Sequence, residues 1–227
     1  TCFAAAYLNY ELPMSCINGW TGRKAESTVL KLSIGILKKM HTEESRMSFS
    51  GEVKEELARQ IGKSHHCRMA ELAGMLEMEG TMDLNSGELR LLNDNAVPQN
   101  KYARLLKCVF GSEKVLAEQV MKSLHWDRPE YENLPVFMRR ADGLLVQRGC
   151  CKRAFIRGTF MAAGAIRDPK KSYHFEIVCV SEDKAKILQK LLCDFDLDAK
   201  IVQRKKHFVV YLKEGAQIVD VLNIMGA

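Results

Sequence analysis

Two stretches of this chain repeat one another at a fixed spacing, and that repeat limits the possible folds more than any other feature. The first is CRMAELAGMLEMEG at residues 67–80, and the second is CKRAFIRGTFMAAG at residues 151–164. The identical pairs, each 84 residues apart, are Cys67/Cys151, Ala70/Ala154, Gly74/Gly158 and Gly80/Gly164. An ungapped match over a whole helix length indicates an internal duplication, so we expect two similar half-domains.

Both stretches have the pattern of a helix that carries a glycine at its centre. Apolar residues dominate, no proline interrupts, and a further glycine stands just past each end. A glycine inside a helix costs about 1 kcal/mol relative to alanine, so Gly74 and Gly158 need a packing reason. We predict that the two helices approach backbone to backbone along these glycines. The alternative is two ordinary core helices that happen to contain glycine.

Residues 72–80, LAGMLEMEG, resemble the LAGLIDADG motif of homing endonucleases position by position, with conservative exchanges. Three further blocks resemble the WhiA family of bacterial sporulation and cell-division regulators. They are MSFSGEVKEELAR at residues 47–59, CCKRAFIRGTFMAAGAI at 150–166 and YLKEGAQIVDVLNIMGA at 211–227. The resemblance covers residues 47–227 and implies an α+β fold with pseudo-two-fold symmetry, a degenerate duplicated LAGLIDADG domain. In the family a helix-turn-helix follows, and it would lie beyond Ala227.

Hydrophobic periodicity predicts the order α-β-β-α-β-β-α for the second half. The first half starts in the same way but lacks the second hairpin between residues 111 and 118. The predicted helices are residues 50–61, with Ser50 as the cap, 66–79, 97–110, with Lys101 outward, 151–163, 182–195 and 214–224. The predicted strands are residues 81–84, 88–92, 173–180, 200–204 and 207–213, with Tyr173, Phe175, Ile177 and Cys179 on one face.

Domain boundaries follow from these blocks. We expect residues 1–46 to be a non-family extension, such as upstream reading frame, because Met47 opens the first family block. A genuine additional helix, weakly amphipathic over residues 26–40, is the alternative. The remaining predicted segments are an N-terminal helix at 47–63, the shortened first half at 64–125, a linker at 126–149 and the second half at 150–227.

The positions of the nuclease acids argue against catalysis. In LAGLIDADG endonucleases each motif helix ends in an acidic residue, and a pair of carboxylates holds divalent metal at the scissile phosphate. The corresponding positions here are Glu79 and Ala163, and an alanine has no ligand atom. Met161 replaces the other aspartate of the second motif. We therefore predict no catalytic residue, no cofactor and no enzymatic activity, with an active endonuclease as the rival hypothesis.

Basic residues are clustered, although the net charge of +6 is moderate. Clusters at residues 139–171 and 199–213 are typical of phosphate contact. A solvated basic face without a partner is the alternative. The predicted DNA-binding residues are Arg148, Lys152, Arg153, Arg157, Arg167, Lys170, Lys171, Lys200, Arg204 and Lys206. Strand alternation places Lys200, Val202, Arg204 and Lys206 on one face.

Eight cysteines occur in a chain with no apolar run of about 20 residues and no secretory signal pattern. This favours reduced thiols in the cytoplasm. A zinc site from His65, His66, Cys67, Cys150 and Cys151 is the alternative, because the duplication brings the two helix starts together. Zinc ligands normally come at short spacings, so we predict no metal site and buried cysteines that act as small hydrophobic residues.

The resemblance implies a non-enzymatic DNA-binding transcription regulator of cell division, chromosome segregation and sporulation, associated with the nucleoid. The expected partners are DNA and the transcription machinery, with no membrane partner and no prediction of oligomeric state. The alternative is a protein-interaction or ligand-sensing module, whose DNA contact belongs to a helix-turn-helix outside this chain.

Overall fold

The computed structural model describes residues 48–140 and 143–227, so the expectations for residues 1–46 lie outside the described part. The described helices are α1 (Phe49–Arg59), α2 (His65–Glu79), α3 (Ala96–Phe110), α4 (Ala117–Ser123), α5 (Gly149–Ala163), α6 (Glu182–Cys193) and α7 (Gly215–Met225). The described strands are β1 (Gly80–Met82), β2 (Leu89–Leu91), β3 (Gly164–Ile166), β4 (Phe175–Cys179), β5 (Lys200–Arg204) and β6 (His207–Leu212). None of these helices is both long enough and apolar enough to cross a bilayer.

Helices α2 and α5, which carry the two copies of the repeat, pair along their central glycines as predicted. A Cβ atom on Gly74 would lie 2.5 Å from the backbone oxygen of Phe155. A Cβ atom on Gly158 would lie 2.1 Å from the backbone oxygen of Glu71. Both distances are far shorter than van der Waals contact, so only glycine permits this approach. The repeated helices therefore form the central axis of the fold.

The second half carries a four-stranded antiparallel sheet in the order β3-β4-β6-β5. Phe175, Ile177 and Cys179 of β4 are fully buried on the face covered by α5 and α6. The Phe160 ring of α5 stacks on Phe175 with centroids 5.2 Å apart. Tyr173 was predicted on this face, but it precedes the strand and is exposed. The opposite face of the sheet carries no helix packed against it in the described part of the chain, and we call it the open face.

The first half carries only the antiparallel pair β1-β2, so the predicted loss of its second hairpin is confirmed. In the described chain between α3 and α5 there is no strand. A single bridge joins Glu88 to Leu116, and α4 and three 3-10 turns follow. These turns are Pro129–Tyr131, Val136–Met138 and Gly143–Val146. The protein is thus a duplicated αββαββα fold in which one half is reduced.

The segment 126–149, predicted as a linker, is mostly exposed where the structure describes it, but two of its residues, Trp126 and Val136, are buried. The Trp126 side chain is fully buried, and its indole Nε1 donates to the backbone oxygen of Arg140 at 2.7 Å. Arg139 donates to the backbone oxygen of Trp126 at 2.7 Å. Val136 is buried against Gly80 at the start of β1. The turn Val136–Met138 therefore packs against α2 and β1 of the first half.

The N-terminal cap of α1 is Ser48, not the predicted Ser50. Ser48 has extended backbone angles, and its hydroxyl accepts from the Gly51 amide at 3.1 Å. Ser50 already lies inside the helix, where its hydroxyl accepts from the Ile166 amide at 3.3 Å. Residue 48 alone stands outside the first turn with its oxygen directed at a free amide, which is the geometry that capping requires.

Lys101 points inward, which corrects its predicted outward position. Its ammonium lies 2.9 Å from the Glu71 carboxylate and donates to the Leu57 backbone oxygen at 2.7 Å. Both side chains of the ion pair are fully buried. Burial lowers the pKa of Lys101, and the charge of Glu71 opposes that change. The prediction was wrong because α1 covers this face of α3, and its last carbonyl groups need a donor there.

Candidate nucleic-acid interface

Glu79 and Ala163 are the last residues of the two motif helices, and each lies directly before the first strand of its half. Helix α2 ends at Glu79 and continues directly into β1, and α5 ends at Ala163 and continues directly into β3. The same junction therefore occurs in both halves. These are the two positions at which the nuclease acids were expected from the motif.

The Glu79 carboxylate is partly buried and faces a lysine. Its Oε2 atom is buried and has no hydrogen-bond partner within residues 48–140 and 143–227. Burial raises the pKa of Glu79, while the charge of Lys54 and hydrogen bonding from Asn93 oppose the rise. The Lys54 ammonium lies 5.7 Å from the centre of the Phe160 ring, one turn before Ala163. A cationic side chain thus stands near the ends of both helices.

This arrangement does not fit the metal of an endonuclease. A single partly buried carboxylate is opposed by Ala163, and the neighbouring charge is the Lys54 ammonium, which repels a divalent cation. Magnesium requires near-octahedral oxygen ligation, and one carboxylate binds it weakly. The residues at this position therefore lack the pair of carboxylates that an endonuclease metal requires.

The open face of the second-half sheet carries the side chains that alternate with those of the covered face, and Val209 among them is buried. Its strand register aligns Ala165, Glu176, Tyr211 and Lys200 in one row across the sheet. The next row is Val178, Val209 and Val202, and the last pairs His207 with Arg204. Lys200, Val202 and Arg204 are therefore on one face, as strand alternation predicts. Lys206 lies in the β5–β6 turn and is exposed.

Glu176 organises the charges on the open face. Its Oε2 atom accepts from Arg204 at 2.9 Å and lies 2.8 Å from Nε2 of His174. Partial burial pushes the pKa of Glu176 upward, but the hydrogen bonds and charges of His174 and Arg204 outweigh it, and the pKa is lowered. The His174 ring stacks on Tyr211 with centroids 6.2 Å apart. Arg204 on β5 is therefore tied to Glu176 on β4 across the sheet.

Free cations surround this organised centre. Within residues 48–140 and 143–227, no carboxylate lies within 4.0 Å of the cationic groups of Arg167, Lys170, Lys171, Lys205 or Lys206. All five side chains are exposed, in the β3–β4 and β5–β6 connections. The first half offers less, because Arg90 on β2 is bound by Asp83 at 2.5 Å. The basic surface is therefore concentrated on the second half.

The predicted DNA-binding residues divide into groups at opposite ends of α5. Arg148, Lys152 and Arg153 lie at its start, and a helix of 15 residues is about 22 Å long. Lys152 pairs with Asp194, Arg153 lies over the Phe195 ring, and Arg148 lies 3.4 Å from Nε2 of His66. The three cations at this end therefore have partners of their own, and they lie at the opposite end of α5 from the start of β3.

Arg157 is not available to a phosphate, which corrects its predicted role. Its guanidinium donates to both carboxylate oxygens of Glu71, at 2.9 and 2.7 Å, and to the Met225 backbone oxygen at 2.9 Å. Burial acts to lower the pKa of Arg157, but hydrogen bonding and charge from Glu71 outweigh it, and the pKa is raised. The residue lies on the seam between the two motif helices, where α2 and α7 enclose it.

Several partners were missed by sequence reasoning. Lys54, Glu176 and His174 shape the two candidate surfaces, but each belongs to a segment with an ordinary alternating or amphipathic pattern. Glu71 and Glu77 did give a signal, since they are carboxylates inside an otherwise apolar helix. Both are buried, and Lys184 provides a cation 4.0 Å from Glu77.

Comparisons with known proteins agree with this architecture. The family profile described as "WhiA LAGLIDADG-like domain" matches residues 152–227. "Probable cell division protein WhiA" of Lachnoclostridium phytofermentans is 40% identical over 205 residues, covering 80% of this chain and 66% of that protein. The protein of the same name from Lachnospira eligens is 40% identical over 206 residues, covering 80% and 64%.

Solved structures show the same fold. The crystal structure of the N-terminal LAGLIDADG domain of DUF199/WhiA is similar with a TM-score of 0.61 at 22% identity, covering 80% of this chain and 94% of that chain. The full-length DUF199/WhiA from Thermatoga maritima is similar with a TM-score of 0.62 at 21% identity, covering 79% and 62%.

The fold and the helix ends define a LAGLIDADG-type protein in which the paired acids are reduced to one. The similarity to the LAGLIDADG-type fold includes both halves and the central pair of helices, α2 and α5. The chain belongs to the WhiA family. It spans just under two thirds of the length of the curated relatives, at 66% and 64%.

Proposed function

We propose that this chain is a non-enzymatic DNA-binding regulator of transcription that acts in cell division, chromosome segregation and sporulation. The observation that carries the proposal is the open face of the second-half sheet, with its rim of free cations. The regulatory role is supported by relatives named as cell division proteins. Association with the nucleoid and contact with the transcription machinery are parts of the same proposal.

The open face suits the backbone of a duplex better than a specific small ligand. Its cations stand on two hairpin connections at the edges of an antiparallel sheet, and β-sheets of this kind can lie in a DNA groove. Phosphate contacts position such a protein, and base edges supply specificity. We assign phosphate contact to Arg167, Lys170, Lys171 and Lys206, while Lys200 and Arg204 are partly neutralised by Asp198 and Glu176.

Removing three exposed cations of the β3–β4 connection is expected to weaken DNA binding and to reduce its dependence on salt. The variant is Arg167→Ala with Lys170→Ala and Lys171→Ala. Each phosphate contact contributes about −0.9 to the slope of log Kobs against log salt, so the slope should lose roughly 2–3 units. Gel-shift titrations between low and physiological salt with the full chain measure it.

The matched control also removes three positive charges, but from helices instead of from the sheet connections. It combines Lys122→Ala, Lys186→Ala and Lys190→Ala, all exposed on α4 and α6. Its salt slope should remain that of the parent chain. An equal reduction of the salt slope in the two variants would refute the assignment of phosphate contacts to Arg167, Lys170 and Lys171. Absence of binding even at low salt would favour the alternative, in which the Val178, Val202 and Tyr211 side of the sheet receives a protein partner.

No Mg²⁺-dependent DNA cleavage is expected from this chain. Glu79 is a single carboxylate opposed by Lys54 and Ala163, so a metal bound there would lack its second acidic ligand. Nicking of supercoiled plasmid with Mg²⁺, compared with the same reaction in EDTA, measures this. A nuclease role would be established by nicking that is abolished in Glu79→Ala and retained in Glu130→Ala. Equal nicking in both variants would identify a contaminating nuclease.

A further inference from the structure

Four metal-ligating side chains meet at the starts of the two motif helices. They are His66 and Cys67 on α2 and Cys150 and Cys151 on α5. Their ligand atoms all lie within 4.8 Å of one another. Nδ1 of His66 is 3.1 Å from the sulfur of Cys151 and 3.4 Å from that of Cys67. His65, which the sequence also offered, is exposed and is not part of the group.

We propose that His66, Cys67, Cys150 and Cys151 bind one Zn²⁺ that links the starts of the two motif helices. In a tetrahedral site with three sulfur ligands and one nitrogen, neighbouring ligand atoms are about 3.5–3.8 Å apart. The two separations from His66 are already close to this value. The widest separation, at most 4.8 Å, needs to close by about 1 Å. Side-chain rotation of the exposed Cys150 can supply that movement.

The donor set selects a zinc-like ion over the other common metals. Magnesium and calcium prefer oxygen ligands, and none of these four side chains offers one. Soft thiolates with an imidazole suit Zn²⁺, and iron–sulfur clusters are usually held by four cysteines. Four protein ligands also fill the tetrahedral coordination sphere. The site is therefore structural, with no open position for a substrate.

Burial and the charge of Cys150 raise the pKa of the Cys67 and Cys151 thiols, and two features of the surroundings act against that rise. Helices α2 and α5 both begin at this point, and neither has a side-chain cap on its first amides. Helix N-termini carry partial positive charge and stabilise nearby thiolates. The Arg148 guanidinium adds a full positive charge 3.4 Å from Nε2 of His66. With zinc on Nδ1, Nε2 carries a hydrogen, so this exposed arginine turns from the ring toward the sulfur atoms.

The location of the cluster means that a bound zinc ion would connect the two halves of the duplication. The helices approach backbone to backbone at Gly74 and Gly158, and the cluster lies at their N-terminal ends, while β1 and β3 begin at their C-terminal ends. Its ligand pairs come from opposite halves of the duplication. Zinc bound there cross-links the halves and holds the relative positions of β1-β2 and β3-β6. The sequence alone argued against a metal because its two ligand pairs, residues 66–67 and 150–151, lie 84 residues apart.

The first experiment measures metal in the full 227-residue chain, purified under reducing conditions. We expect about one zinc per chain by mass spectrometry of the metal. Replacing zinc with Co²⁺ should give the intense visible bands of tetrahedral cobalt and a thiolate charge-transfer band. Chelation should lower the Tm by about 5–10 °C, because the ion binds only the folded state.

Matched cysteine variants locate the site. Cys150→Ser is chosen because its side chain is exposed, so folding should survive; we expect at least about 100-fold weaker zinc binding. Cys193→Ser and Cys108→Ser are exposed cysteines outside the cluster and should bind zinc like the parent chain. Cys2→Ser with Cys16→Ser tests the cysteines outside the described residues, and it should also bind normally.

Three outcomes would overturn the proposal. One is a reduced, folded chain that takes up neither zinc nor cobalt. Another is zinc that is lost in the Cys2 and Cys16 variant but kept in Cys150→Ser. The third is a mass and thiol count showing a disulfide from Cys67 to Cys150 or Cys151 that persists under reduction and leaves no metal bound.

Discussion

Replacing Gly158 with alanine is expected to destabilise the protein by about 3 kcal/mol or more. The added Cβ atom would lie 2.1 Å from the backbone oxygen of Glu71. A backbone carbonyl inside a helix cannot rotate aside, so α2 and α5 must separate along their whole contact. Alanine regains about 1 kcal/mol of helix propensity, which is smaller than the packing loss.

Urea denaturation followed by circular dichroism measures this change, and the Tm should fall by roughly 6–12 °C. Gly149→Ala is the control, because it lies in the first turn of the same helix and its new Cβ atom meets nothing within 4 Å. That variant should be neutral or slightly more stable. A Gly158→Ala chain as stable as the control would show that the two helices do not pack through their glycines.

Replacing Glu71 with glutamine is expected to cost about 3–5 kcal/mol, because it removes the carboxylate that pairs with two buried cations. Within the described chain, the Glu71 carboxylate binds Lys101 at 2.9 Å and Arg157 at 2.7 Å. Glutamine has nearly the same shape, so the loss reports charge and hydrogen bonding instead of volume. Denaturant unfolding at neutral pH measures it.

Two further variants test whether the cost of Glu71→Gln comes from the loss of a buried charge. One alters an exposed ion pair, and the other replaces the whole buried triad with apolar residues. Glu182→Gln removes the partner of Lys186 at an exposed position on α6, where ion pairs contribute at most about 1 kcal/mol. Replacing the whole triad, with Glu71→Leu, Lys101→Met and Arg157→Met, should restore most of the lost stability, because no buried charge remains unpaired. If the triple variant is no better than Glu71→Gln, the cost arises from packing.

The same triad of Glu71, Lys101 and Arg157 shows what sequence interpretation predicts correctly and what it misses. Periodicity located α3 within one residue of its observed start, but it placed Lys101 in solvent. Charge clustering identified a basic second half, but it assigned Arg157 to DNA. In both cases the pattern along one helix gave the correct element and the wrong environment. A neighbouring helix covered the charged side chain and supplied its partner.

For the candidate DNA surface too, the sequence predicted the secondary structure correctly but not the contacts of the charged side chains. Strand alternation correctly put Lys200, Val202 and Arg204 on one face, because side chains alternate with a period fixed by the backbone. Alternation does not report that Glu176 and His174 on the neighbouring strand bind Arg204. It also did not separate the cations at the start of α5 from those on the sheet.

The amino-acid sequence by itself determined the duplication, the glycine seam, the reduced first half and the loss of the second acid at Ala163. Each of these is written in the spacing or identity of residues along a single stretch. Only the tertiary structure decided that Lys101 and Arg157 are buried on Glu71, that Trp126 and Val136 are buried, and that His66, Cys67, Cys150 and Cys151 meet. Those outcomes depend on which distant element covers a given face, and contacts between remote segments leave no periodic trace in either segment.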